Sequence, residues 1–129
     1  MSGNTNTKIG KIVEQATLLA NDTMSGDTKD IVEYTISKYY RVCQSSAGNR
    51  LPKLTDISDA TVKDLVAIDV DVEFAKYAVT RATNIIAAAT DIVQHGFGYQ
   101  EAVVEIRHKR NVAQKRRFWN LAKKKAVSP

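Results

Sequence analysis

Between residues 72 and 95, Ala75, Ala78, Val79, Ala82, Ile85, Ile86, Ala89 and Val93 recur at steps of one, three and four. A chain that keeps this period over roughly six turns of 3.6 residues is committed to an amphipathic α-helix. Four of the eight are alanines, so a neighbouring backbone can approach closely. Asp71 stands where an N-cap belongs, and Gly96 where a helix usually ends in a left-handed turn. A helix with such a stripe has to be covered, and the rest of the chain supplies helices to cover it.

Ile9, Ile12, Val13, Ala16, Leu19 and Ala20 predict a first helix over 7–21, capped by Thr7 and broken between Asn21 and Gly26. A second is expected from Asp27 or Thr28 to about Ser45. Its apolar residues (Ile31, Val32, Tyr34, Ile36, Tyr39, Tyr40, Val42 and Cys43) spread over more than one face, which calls for cover on several sides. Ser45 to Pro52 is the longest loop signal. Asp56 or Ser58 then starts a short helix through Val62, Leu65, Val66 and Ile68. The alternation Asp69-Val70-Asp71-Val72-Glu73 has the period of a strand, but nothing nearby pairs with it, so it reads as a bend. From Tyr99 to about Lys125 a last helix carries Ala102, Val103 and Ile106, after which its apolar stripe thins to Val112, Ala113, Trp119 and Ala122. The predicted fold is all-α, a compact bundle of four to five helices with a projecting basic C-terminal helix. One domain over 1–129 would comprise an N-terminal helical arm (1–26), a helical body (27–106) and a basic helix or tail (107–129).

Composition narrows the function. The 129 residues are 43% hydrophobic and 26% charged, ordinary for one folded core. No stretch approaches the roughly 18 apolar residues of a membrane span. MSGNTNTKIG lacks the apolar run of a secretory leader, so an intracellular or virion setting is expected. A single cysteine, Cys43, excludes an internal disulfide and any multi-cysteine zinc site. Asp69, Asp71 and Glu73 open like a calcium loop, but that loop needs Gly sixth and Glu twelfth, where this chain has Phe74 and Thr80. Gly96-Phe97-Gly98 follows a helix, whereas a dinucleotide-binding glycine loop follows a strand. His95 and His108 lack a partner at relay spacing. The expectation is a protein that is not an enzyme and takes no cofactor or metal.

Charge is where the sequence asks for a partner. Residues 1–50 carry six Lys/Arg and five acids, residues 51–100 four and seven, and residues 101–129 nine and two. After Glu105 no acid appears. Blocks of one sign bind polyanions or stay solvated. Here Phe118 and Trp119 beside Arg116 and Arg117 favour binding. Arg107, Lys109, Arg110, Lys115, Arg116, Arg117, Lys123, Lys124 and Lys125 are the candidate phosphate contacts, joined by Lys8 and Lys11 on the polar side of the first helix. Lys and Arg neutralise phosphates largely regardless of base sequence, with strong salt dependence. Ile31, Tyr34, Tyr39 and Tyr40, with Phe118 and Trp119, are the expected subunit interface, because excess apolar surface marks a contact and aromatics favour its centre. The alanine face of 75–89 is expected to contribute.

Lys8 to Leu19, the Ala75–Val93 helix and Arg107–Lys125 place an amphipathic helix, an alanine-rich body and basic ends in order. This architecture resembles that of the helical major coat proteins of rod-shaped and filamentous archaeal viruses. The resemblance implies subunits, with or without a paralogous partner, that stack helically around linear double-stranded DNA in a virion, after assembly in the host cytoplasm. The rival expectation is a small DNA-binding accessory protein for recombination, packaging or regulation, with residues 56–95 as a helix-turn-helix.

Overall fold

The computed structural model describes residues 3–45 and 51–109, which form five helices and no strand. They are α1 (Gly3–Thr23), α2 (Gly26–Ser45), α3 (Leu54–Ala67), α4 (Val72–His95) and α5, helical over 99–109, where the described residues end. The all-α expectation holds. None of the four complete helices is long and apolar enough to cross a membrane.

The alanine-rich α4 is the axis of the bundle. It packs against α1, α2 and α3, while α2 touches α1, α3 and α4. Ala75, Ala78, Val79, Ala82, Ile85, Ile86 and Ala89 are all sealed from solvent. The main core joins Ala82, Ile85, Ile86 and Ala89 to Ile9, Ile12, Ala16, Leu19 and Ala20 of α1, to Val32, Ile36 and Tyr39 of α2, and to Ala102, Val103 and Ile106 of α5. A smaller cluster of Ile31, Leu65, Ala75, Ala78 and Val79 closes the α3 end. Two expectations change here. The first helix is a wall of the bundle rather than an arm, since Ile9, Ile12, Ala16, Leu19 and Ala20 are buried and Val13 packs against them. The alanine face of α4 is spent on the chain's own core, so it has no surface left for a second subunit.

Buried threonines solve their hydrogen bonding locally. Thr23, Thr35 and Thr61 each donate to the carbonyl four residues back (Leu19, Ile31 and Ile57), at 2.6–2.8 Å. Helix boundaries follow burial as much as capping. α1 begins at Gly3, upstream of the expected Thr7, because apolar periodicity is silent across the polar run Gly3–Asn6. α3 begins at Leu54, before the expected Asp56, because Leu54 packs against the main core and draws the first turn upstream. Asp56 then lies in that first turn, where a carboxylate suits the positive end of the helix. At α4 both expected signals operate. Asp71 accepts a hydrogen bond from Phe74 N–H at 2.9 Å, and Gly96 takes the left-handed conformation with φ +67°.

Candidate nucleic-acid interface

α5 turns back from α4 through Gly96–Gly98, and Ala102 N–H donates to the Gly98 carbonyl at 3.0 Å to start it. Ala102, Val103 and Ile106 fasten one face into the core. Tyr99 ties the start of α5 to the end of α1 by donating its hydroxyl to Asp22. Burial, with the Asp22 carboxylate beside it, pushes the Tyr99 phenol up to about 12. With the inner face so held, Arg107, His108 and Lys109 all stand in solvent. Glu105, the last acid of the chain, reaches Lys109 at 3.3 Å one turn on. Both groups are about half exposed, so the pair contributes only about 0.3–0.5 kcal/mol. It does neutralise Lys109 locally. No acid follows to do the same for the later cations.

Lys8 and Lys11 are exposed on α1, as expected, and form no ion pair with the described residues. Arg110, Lys115, Arg116, Arg117, Lys123, Lys124 and Lys125 lie outside the described residues, as do Phe118 and Trp119.

The expected interface on α2 divides. Ile31 and Tyr39, at 8% and 2% exposure, point into the chain's own core and offer nothing to a neighbour. The reason is geometric: α1, α3 and α4 all pack against α2, and its buried face, Ile31, Val32, Thr35, Ile36, Tyr39 and Cys43, is used within one subunit. Burial pushes the Tyr39 phenol well above its ordinary range, reinforced by Cys43, and burial raises the Cys43 thiol too. Tyr34 and Tyr40 stay at the surface. Tyr34 donates to Asp64 at 3.1 Å, and Lys38 pairs with the same carboxylate, strapping α2 to α3. These two hydrogen bonds hold the Asp64 carboxyl below the usual carboxylate range, the one from Lys38 most strongly.

Sequence reasoning missed the α3–α4 turn as a surface feature. Val66, Ile68 and Val72 are exposed there, Ile68 by 71%. The nearest signal is the alternation at 69–73, whose acids read as a failed calcium loop and whose valines read only as a bend. Among the described residues no group of three or more His, Cys, Asp or Glu is placed to hold a metal. The helix-turn-helix expectation for 56–95 meets a steric obstacle: α4, its groove-reading helix, is the covered centre of the bundle, and Arg81, one of its two basic residues, is buried.

Comparison with known proteins gives no match to a family, to a curated protein or to a solved structure.

Proposed function

We propose that the chain is a structural nucleic-acid-binding protein, a coat or nucleocapsid subunit that self-assembles around double-stranded DNA through phosphate contacts. The observation that carries this reading is the sorting of charge. All fourteen acids lie at or before Glu105, and seven Lys/Arg follow Lys109 unopposed. Residues 1–109 hold twelve Lys/Arg against those fourteen acids, so the folded body repels phosphate weakly while the basic segment attracts it. The anchored inner face of α5 supports the reading, because it fixes the residues that immediately precede that segment. Arg forks onto phosphate oxygens, and Lys adds point charge. Lys8 and Lys11 supply a second contact. Neighbouring +7 segments repel one another and phosphates neutralise them, so nucleic acid strengthens assembly.

The test is a salt titration of duplex-DNA binding with Lys109, Arg110, Lys115, Arg116 and Arg117 replaced by Gln, alongside negative-stain imaging with long duplex. Each lost contact should lower the log–log salt slope by about 0.9. Regular rods or filaments on DNA are the expected image. Affinity unchanged at every salt concentration would overturn the phosphate role, and discrete small particles would favour an accessory factor.

A further inference from the structure

The α3–α4 turn is built to present apolar side chains outward. Ile68 and Val70 N–H both donate to the Leu65 carbonyl, and Asp69 N–H donates to that of Val66, at 3.0–3.1 Å. This tight reversal holds Asp69 at φ +69°, the one non-glycine residue with positive φ among the described residues. A non-glycine residue rarely adopts that conformation, and it has a local cost. The result is a short outward loop with Ile68 at 71% exposure and Val66 and Val72 at 42% each. Asp69, Asp71 and Glu73 stand exposed between and beside them. Apolar groups ringed by carboxylates suit a ligand with cations around an apolar centre. This chain carries such a segment: Lys115-Arg116-Arg117-Phe118-Trp119, within an acid-free stretch. Among the described residues Ile68 is 71% exposed, and a second copy can bring this segment to it.

We propose that the turn at 66–73 is the docking surface for the basic, aromatic-bearing segment around 115–119 of a second copy of this chain. Phe118 and Trp119 cover Ile68, Val66 and Val72, while the flanking cations face Asp69 and Glu73. Two different surfaces meet, so the contact is head-to-tail and propagates along a polymer instead of closing a pair. The inference deepens the assembly half of the proposed function, and it supplies a surface in place of Ile31 and Tyr39.

Trp119 is the only tryptophan, so its emission reports docking directly. The experiment follows the emission and sedimentation of the full chain over a range of concentrations, at low salt and without nucleic acid. A blue shift that grows with concentration, together with growing mass, is expected. Ile68→Asp should weaken association roughly ten- to hundredfold, as loss of a buried isoleucine contact implies. It should leave the circular dichroism spectrum and DNA binding intact, because Ile68 is exposed. Mixing Ile68→Asp with a Phe118→Ala, Trp119→Ala variant should give dimers and no larger species, since each retains one good half. The proposal is overturned by a wild type that stays monomeric, by a Trp119 shift independent of concentration (docking within one chain), or by assembly that Ile68→Asp leaves unchanged. Loss of DNA binding in a Lys123→Gln, Lys124→Gln, Lys125→Gln variant, whose cations lie outside the docking segment, with docking intact, would separate the two readings.

Discussion

Arg81 is a charge placed where charge is expensive. It is 4% exposed, and Nη1 donates to the Tyr77 hydroxyl at 3.4 Å, with the guanidinium 6.0 Å from that ring. Nη2 has no hydrogen-bond partner among the described residues. All fourteen carboxylate residues lie among the described residues, and none pairs with it. A buried cation without a counter-charge is desolvated with nothing to offset the loss, so an apolar replacement of similar length is neutral or stabilising. Arg81→Met should therefore melt at or above the wild-type temperature in scanning calorimetry; a drop of several degrees would contradict this. Tyr99 gives the pH dependence. Its folded pKa of about 12 lies above the ordinary 10.0, so the neutral phenol favours the fold. That stability is complete below pH 10 and drains away as pH rises toward 12. Tyr99→Phe should flatten the fall of melting temperature over this interval relative to wild type, leaving a residual slope from buried Tyr39.

α4 shows what an element needs from its ends. Asp71 accepts from Phe74 N–H and satisfies one of the orphan donors of the first turn. Asp71→Ala should cost about 1 kcal/mol in urea denaturation, and Asp71→Asn should restore most of it, since Asn caps about as well. Equal losses in both variants would mean that the carboxylate's charge matters more than its hydrogen bond. α5 depends on burial at one face and on the Tyr99–Asp22 link at its start, so its outer face is free to carry charge.

At the scale of the whole molecule, folding buries the helix stripes and, among the described residues, leaves every charged side chain but Arg81 outside the core. One cation is already partly spent: Lys109 faces Glu105. Glu105→Gln should therefore tighten duplex-DNA binding and steepen its salt dependence by up to about one contact, or 0.9 in slope. Lys109→Gln alone should do less than Arg116→Gln. A fluorescence-anisotropy salt titration separates these outcomes, and unchanged slopes in all three would place the phosphates elsewhere.

Periodicity and end signals determined the helical class by themselves. The 72–95 stripe, Asp71 and Gly96 act through local backbone hydrogen bonds and side-chain spacing, which are properties of contiguous residues. The sorting of charge beyond Glu105 is equally a matter of composition. Which apolar residues remain available to a partner was decided by tertiary packing. Tyr39 and Ile68 both stand in apolar stretches of the sequence, yet the bundle buries one and leaves the other exposed. Burial depends on what lies across the bundle, and a linear pattern holds no record of that. Arg81 is the same lesson reversed: a basic residue on a helix reads as surface until the neighbours are known.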